Sequence, residues 1–444
     1  MSTVTRSPRT GVRQLDSIIK IPVTMHWLWA PLGLLLTLPV PALIGSLAIP
    51  PAQFPALFGQ PSFLEERARL VAISYIAIML VVFLVFVPMR GRAATFISLD
   101  TKSITWLNRT VLTLASVTFA AYVFWIGSAV TRGLGPSAVL DLLTGEEGTI
   151  FVLRNQYFEN YGGLTTWMQL AALLAPLVIL RAKATGRAAR TYLVPLFVLA
   201  FVRALLNSER LALIELALST ILAYLILRDE APRIVRTAPR AIALIIGAWL
   251  ALIVVFGTFE YFRSWTYAEA GYDGDFWSYA ITLLLGYYAT ALNLAAFDSS
   301  ILDGTPLVSA MFQGNLYEQF FGPSPLAGVQ RAYGLETFTN RSGLLVPDIA
   351  LGAWGGAVVI ALTAFAIATL ARRTARGDII AFAAYCASAV AVLEIVRIFY
   401  LGSSRFLPVL IAIMGMAVSW SLLQAKERGA RKSTRRRSEA RSRR

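Results

Sequence analysis

Apolar segments of about twenty residues recur along the chain, separated by shorter polar stretches. A helix rises about 1.5 Å per residue and the hydrocarbon core of a bilayer is about 30 Å thick, so each segment is long enough to cross it. The pattern predicts an all-α polytopic integral membrane protein with about ten transmembrane helices. The predicted spans are residues 21–49, 69–89, 110–130, 163–180, 191–207, 211–228, 240–258, 347–371, 378–399 and 404–423.

The composition supports this assignment. Of 444 residues, 57% are hydrophobic and 15% are charged, whereas soluble domains carry about 25% charged residues. These values exclude a disordered chain and disfavour a soluble enzyme. The chain has one cysteine, Cys386, and one histidine, His26. An internal disulfide and a multi-histidine metal site are therefore excluded, and no cofactor or metal is predicted.

Basic residues predict the orientation of the spans, because loops on the cytoplasmic side are enriched in Lys and Arg. With the N-terminus inside, 29 of the 40 Lys and Arg residues fall on the cytoplasmic side. Both termini are therefore predicted to be cytoplasmic. The formal net charge of +15 reflects this bias, and the basic tail is interpreted as a topology anchor at anionic lipid. No nucleic-acid partner is predicted.

The chain is divided into five parts by this topology. They are a cytoplasmic N-terminal tail (1–20), spans one to seven (21–258), a long outer loop (259–346), spans eight to ten (347–423) and the basic cytoplasmic tail (424–444). The loop contains an uncharged run, Trp277 to Phe297. As an eleventh span this run would place the tail outside. It is therefore interpreted as a re-entrant or interfacial helix within the loop.

The long loop is acidic and aromatic. Nine carboxylates and only three arginines lie between Glu260 and Asp348. Aromatic faces with carboxylates and amides suit sugars, whose C–H faces stack on rings and whose hydroxyls need hydrogen-bond partners. An interfacial aromatic belt over a loop that avoids positive charge outside is an equally open interpretation.

Charged residues also lie inside or beside the predicted spans, where they are costly and are functional candidates by default. Mutual pairing is one explanation, with Glu394 bound to Arg397 and Arg203 to Glu215. Near the outer ends of these spans, the four arginines nevertheless outnumber the three carboxylates Glu209, Glu215 and Glu394. A surplus of guanidinium groups there predicts an anionic ligand, and phosphate is the best geometric match. These arginines are Arg203, Arg210, Arg397 and Arg405.

Two stretches carry a family resemblance. Ser208-Glu209-Arg210 leads into an apolar helix that contains Glu215. The segment Thr337–Gly343 is followed by Pro347-Asp348 and by the glycines 352, 355 and 356. Together with the order of spans and loop, these motifs resemble the O-antigen polymerases, the Wzy-like oligosaccharide repeat-unit polymerases. The related ligases are expected to carry a histidine in the large outer loop, and none is present here.

The resemblance implies an inverting, metal-independent membrane glycosyltransferase of surface polysaccharide biosynthesis in the bacterial cytoplasmic (inner) membrane. It implies a glycan on undecaprenyl pyrophosphate as substrate, the bilayer as surroundings, and a flippase and a chain-length regulator of the same pathway as partners. It assigns arginines to the pyrophosphate, carboxylates to the general base and one tyrosine to substrate binding. The arginines are Arg210, Arg203, Arg341, Arg331, Arg397 and Arg405, the base candidates are Glu336, Asp348 and Glu215, and the tyrosine is Tyr333.

Two other functions remain open on the sequence. A secondary transporter or lipid-linked glycan flippase would use the charged residues of the spans as an ion or substrate path. Transporters usually carry internal repeats, and the chain has no recognisable one. A non-catalytic subunit of a glycan-export complex is the third interpretation.

Overall fold

The computed structural model describes residues 18–87, 95–135, 137, 156–158, 161, 163–206, 210–228, 238–265, 269, 271–302, 305–312, 322, 326–333, 335 and 340–442. The described parts are mostly helical, with one small sheet. The two strands are β1 (Ile19–Val23) and β2 (Thr95–Leu99). The helices are α1 (Pro31–Thr37), α2 (Pro39–Ala48), α3 (Phe54–Phe58), α4 (Glu66–Phe86), α5 (Thr101–Thr131), α6 (Ala171–Thr185), α7 (Arg190–Leu206), α8 (Arg210–Ile226), α9 (Ala238–Glu260), α10 (Phe276–Leu302), α11 (Ala327–Ala332), α12 (Val346–Thr374), α13 (Ile379–Leu393) and α14 (Leu407–Ser442).

Eight helical segments of the described residues are long and apolar enough to cross a membrane. They are Pro31–Ala48, Glu66–Phe86, Thr101–Thr131, Thr165–Thr185, Pro239–Glu260, Phe276–Leu302, Val346–Thr374 and Leu407–Lys426. These helices support a multi-pass membrane protein, as the apolar pattern predicts. Helices α7, α8 and α13, with 17, 17 and 15 residues, are shorter than a typical span because polar residues limit each of them.

The first predicted span begins later than expected. Ile19–Val23 forms a strand that pairs antiparallel with Thr95–Leu99, so the span starts at Pro31 and not at residue 21. Alternation explains this difference: Ile21 and Val23 are buried, whereas Lys20 is exposed and Pro22 is only partly buried. Period-two alternation of β-branched residues favours a strand over a helix. The sheet is the one departure from an all-α fold among the described residues.

The bundle has two distinct ends. At the sheet end, the Thr24 amide donates to the Ile226 carbonyl at 2.7 Å, and the Thr95 hydroxyl donates to the Ala375 carbonyl at 2.7 Å. The strands therefore pack beside the C-termini of α8 and α12. The opposite end, called here the arginine end, contains the first residue of α8, Arg210, and the last residue of α9, Glu260.

Helix α10 lies along the arginine end, although it is long enough to cross the bundle. The ring of Phe276, its first residue, packs 5.5 Å from the ring of Tyr261, which follows α9. In its second half, Asn293 Nδ2 donates to the Pro61 carbonyl at 2.9 Å, between α3 and α4. Further on, Ser299 Oγ donates to Asp348 Oδ2 at 3.1 Å, near the start of α12. Both halves thus contact the same end of the bundle.

Candidate functional site

Arg210 is buried at the start of α8, with 6% of the residue exposed. Its Nη2 forms an ion pair with Glu260 Oε1, and the Ser264 hydroxyl donates to the other oxygen of the same carboxylate. The guanidinium carbon lies 4.2 Å from the ring centre of Phe256. An arginine held between a carboxylate and an aromatic face has a fixed orientation.

Arg397 lies beside Arg210, across a shared aromatic ring. Its guanidinium carbon is 3.7 Å from the ring centre of Tyr287, and that of Arg210 is 5.5 Å from the same centre. Arg397 Nη1 also pairs with Glu394 Oε2 at 3.3 Å. The predicted pairing of Glu394 with Arg397 is confirmed. Both residues lie in the turn that follows α13. They are three residues apart in sequence, a spacing that brings two side chains together on one face of a helical turn.

Glu215 is also buried, and it lies five residues after Arg210 in α8. Its Oε1 lies 3.4 Å from Arg405 Nε, and Tyr400 hydrogen-bonds to the same carboxylate. With its amide oriented to suit its neighbours, Gln169 donates to Glu215 Oε2 and accepts from Arg405 Nη2 at 2.8 Å. The structure thus shows Arg405 as an ion-pair partner of Glu215. Pairing of Glu215 with Arg203, one of the explanations that the sequence left open, stays a prediction.

Four arginines and three glutamates therefore share the arginine end. We call them the arginine group; its members are Arg203, Arg210, Arg397, Arg405, Glu215, Glu260 and Glu394. Arg203 lies buried in the last turn of α7. With ordinary charge states the group carries a net charge of +1. Two buried guanidinium nitrogens, Arg210 Nη1 and Arg397 Nε, have no hydrogen-bond partner within the described ranges.

Arg341 is held by a different carboxylate. Its Nε pairs with Oδ2 of Asp298, which is fully buried near the end of α10. Gln330 Nε2 donates to the other oxygen of Asp298 at 2.6 Å. These contacts tie two segments of the long loop to α10, which is a structural reason for Arg341 to be charged. Its predicted role as a phosphate ligand stays a prediction.

Asp348 is buried in the first turn of α12. Its Oδ2 accepts from Ser299 at 3.1 Å and lies 3.7 Å from Arg67 Nη2. Its Oδ1 has no hydrogen-bond partner among the described residues. One turn later Gly352 adopts a φ of +71°, which interrupts α12, and glycine tolerates this conformation at little cost. The interruption separates the Asp348 turn from the rest of the helix.

The Asp348 carboxylate and the arginine group lie at different positions along α10. Tyr287 contacts two arginines, and Ser299 contacts Asp348. The two α10 residues are twelve positions apart in the sequence, which corresponds to about 18 Å along a helix. A ligand that reaches both groups must be extended along the arginine end.

The other predicted site residues are less constrained. The Tyr333 side chain is half exposed, and its ring centre lies 5.1 Å from that of Phe297 and 6.0 Å from that of Phe63. An exposed ring on an aromatic base is suited to stacking on a sugar. Glu336 and the side chain of Arg331 lie outside the described residues, so their predicted roles stay predictions.

Three residues of this site were not among the predicted ones: Glu260, Gln169 and Tyr287. Glu260 directly follows the apolar run of α9, so its position at the end of a span was a usable signal. Gln169 is a polar amide directly before an apolar run, and this position was the only signal for it in the sequence. Tyr287 lies in the run that the sequence predicts to be a re-entrant or interfacial helix, and its contacts with two arginines depend on packing.

Within the described parts of the chain, no three His, Cys, Asp or Glu side chains are grouped as a metal site requires. Comparisons of the chain with protein-family models, with curated proteins and with solved structures find no match.

Proposed function

We propose that the protein is a membrane glycosyltransferase that polymerises oligosaccharide repeat units carried on polyprenyl pyrophosphate. The observation that carries this proposal is the arginine group, whose seven members sum to a net charge of +1 and include two buried guanidinium nitrogens with no partner among the described residues. Buried cations on aromatic walls suit a phosphate-bearing ligand. The group lies at the end of the bundle where the acidic and aromatic segment 259–346 begins and ends.

In the proposed reaction, a hydroxyl of the acceptor repeat unit attacks the anomeric carbon of the donor glycan. A new glycosidic C–O bond forms, the bond from that carbon to the pyrophosphate breaks, and polyprenyl pyrophosphate leaves. The arginine group stabilises the charge that develops on the leaving group, and Arg210 and Arg397 supply free donors. The proton of the attacking hydroxyl passes to a carboxylate.

Of the two predicted general bases that lie in the described residues, Asp348 and Glu215, Asp348 has the more suitable surroundings. Its Oδ1 is buried and unpaired within the described residues, so it is available to accept a proton. Glu215 is engaged by Arg405 and Gln169, and these contacts favour a role in holding the arginines. We therefore assign the base to Asp348 within this proposal.

The proposed topology keeps ten spans and both termini in the cytoplasm. It counts α7, α8 and α13 as crossings and α10 as a helix that lies on the outer surface. The arginine end then faces the periplasm, where lipid-linked repeat units are joined, and the basic residues gather at the sheet end.

Single cysteines test this topology with a membrane-impermeant thiol reagent. Asp273→Cys and Thr305→Cys flank α10, and we expect both to react in intact cells. Lys20→Cys, at the sheet end, should react only after the membrane is opened. Native Cys386 is buried and serves as the background. Labelling of only one flank of α10 would show that this helix crosses the membrane and would overturn the model.

The function is tested by deleting the gene in its host and extracting the lipid-linked glycans. A polymerase deletion accumulates single repeat units that have crossed the membrane. Units confined to the cytoplasmic side would indicate a flippase instead. Purified protein in nanodiscs, supplied with lipid-linked repeat units, should form polymer and release polyprenyl pyrophosphate. Repeated failure of folded protein to do so would favour a non-catalytic subunit.

A further inference from the structure

The first turn of α12 does not continue straight into the rest of the helix. Asp348 and Gly356 are eight residues apart, which in a straight helix corresponds to about 12 Å along the axis. Here a methyl group on Gly356 would lie 2.9 Å from the Asp348 amide nitrogen, closer than ordinary van der Waals contact. Gly352 interrupts the helix between them. The turn that carries Asp348 therefore folds back onto Gly356.

A tyrosine of α4 closes this contact from the other side. Tyr75 is buried, and its hydroxyl donates to the Ala353 carbonyl at 2.7 Å, directly after the interruption. A methyl group on Gly356 would lie even closer to this hydroxyl than to the Asp348 amide. The hydroxyl, the amide and the bare glycine thus meet at one point. We call Tyr75, Ala353 and Gly356 the seat of the Asp348 turn.

The opposite side of the turn is held by α10 and the segment after it. Ser299 Oγ donates to Asp348 Oδ2 at 3.1 Å, and the Leu307 amide donates to the Ile349 carbonyl at 3.0 Å. Asp348 Oδ1 has no hydrogen-bond partner among the described residues. A carboxylate held by one hydrogen bond still rotates about that bond. The position of the backbone on the seat therefore decides where Oδ1 points.

This position matters for a general base. A base must come within about 2.6–3.2 Å of the atom whose proton it accepts, and a misplacement of about 1 Å costs about a hundredfold in rate. The seat leaves little freedom, because Gly356 has no room for a side chain and the Tyr75 hydroxyl is held by a carbonyl. Contacts that do not touch the substrate thus control the reach of the carboxylate.

We propose that Tyr75 is a positioning residue for Asp348. Its hydroxyl, held by the Ala353 carbonyl, fixes the folded-back turn and with it the direction of the free carboxylate oxygen. This inference rests on the proposed function for the role of Asp348 as the base. The position of the turn on the seat is tested without that assumption.

Amide hydrogen exchange tests the seat without reference to activity. Full-length Tyr75→Phe protein in nanodiscs is compared with Tyr385→Phe. Tyr385 is a buried tyrosine of α13 whose hydroxyl donates to the Trp29 carbonyl at 2.6 Å, so its loss removes the same kind of bond elsewhere. We expect exchange in peptides covering 346–356 to become several-fold faster in Tyr75→Phe only. Unchanged exchange there would overturn the seat.

Turnover with lipid-linked repeat units tests the link to Asp348. We expect Tyr75→Phe to lower kcat by about tenfold to a hundredfold with KM little changed, and Tyr385→Phe to leave both unchanged. In an Asp348→Asn background, Tyr75→Phe should cause no further loss, because residues that act as a unit are not additive. The same loss in both backgrounds would show a purely structural role and overturn the inference.

A second variant keeps the test valid if Tyr75→Phe protein does not accumulate. Gly356→Ala places a methyl group against both the Tyr75 hydroxyl and the Asp348 amide, so it should give the same faster exchange and lower kcat. The control is Gly415→Ala in α14, where a methyl group meets no neighbouring atom.

The two proposals fail in different ways. Faster exchange in folded protein whose wild type forms no polymer would keep the seat and refute the proposed polymerase. Faster exchange with a normal kcat, in protein that does form polymer, would keep the polymerase and refute the positioning role of Tyr75.

Discussion

The two ends of the bundle use arginine in opposite ways. At the sheet end, Arg373 pairs with Asp378 on the surface at 2.6 Å, and 58% of the arginine side chain is exposed. At the arginine end, Arg210 pairs with Glu260 in the interior, with 6% of its side chain exposed. The surface pair keeps most of its hydration and contributes about 0–1 kcal/mol. The buried pair has lost its hydration, so it needs further partners or a ligand.

This difference shows why the number of arginines at each end says little about function. In the proposed topology the sheet end faces the cytoplasm and is therefore rich in basic residues, which water and lipid head groups solvate. The arginine end has fewer, but their surroundings are aromatic and buried. An arginine is therefore a stronger functional candidate when it is buried and has a donor without a partner than when it is one of many exposed basic residues.

The largest expected effect is at Arg210. We expect Arg210→Ala and Arg210→Lys each to lower polymer synthesis about a hundredfold or more, because loss of one preorganised donor to a developing anion costs that much. Lysine lacks the planar fork that serves Glu260 and a phosphate together. Polymer length and amount on gels, normalised to protein abundance, measure the effect.

The matched control is Arg373→Ala, which removes an exposed arginine and should leave polymer unchanged. A folded Arg210→Ala protein at wild-type abundance that still makes full-length polymer would falsify the phosphate-binding assignment.

The second effect concerns Asp348. As a general base it should contribute about a hundredfold or more to turnover, so Asp348→Asn should lose most polymer synthesis while still binding lipid-linked repeat units. The control is Asp275→Asn: Asp275 accepts from the Ser278 amide at the start of α10, and asparagine is an equally good helix cap. If Asp348→Asn retains normal turnover, the base is another carboxylate.

The third effect is on stability. Glu215→Ala leaves Arg405 buried without its carboxylate, and breaking a buried pair in this way costs about 3–5 kcal/mol. The thermal denaturation midpoint in detergent should therefore fall clearly. Arg373→Ala, at the sheet end, should cost no more than about 1 kcal/mol. Equal midpoints for the two variants would contradict the contrast between the two ends.

The smallest effect is expected from the tail. Helix α14 starts at Leu407 near the arginine group and runs to Ser442, so the tail lies far from the site. Removing residues 431–444 should leave polymer synthesis largely intact and lower membrane levels at most. Complete loss of polymer with normal insertion would reveal a role of the tail in activity.

Local pattern was sufficient for part of this picture. The apolar runs predicted the helices of a polytopic membrane protein, and the spacing of Glu394 and Arg397 predicted their ion pair, which is three residues apart in sequence. Both follow from interactions between near neighbours in the chain. The exclusion of Trp277–Phe297 from the spans rests on charge parity and stays a prediction, since α10 is also long and apolar enough to cross a membrane.

The rest was decided by tertiary packing. Arg210 and Glu260 are 50 residues apart. Glu215 lies in α8 and Arg405 in the turn before α14, so no local period relates them. The apolar composition of a helix is the same whether lipid or protein surrounds it. The sequence of α10 therefore resembles that of a membrane span. Sequence determined which segments are helical and which charges enter the apolar part of the protein. Packing decided which charges meet and which donors stay unpaired, because depth and facing direction depend on contacts between distant segments.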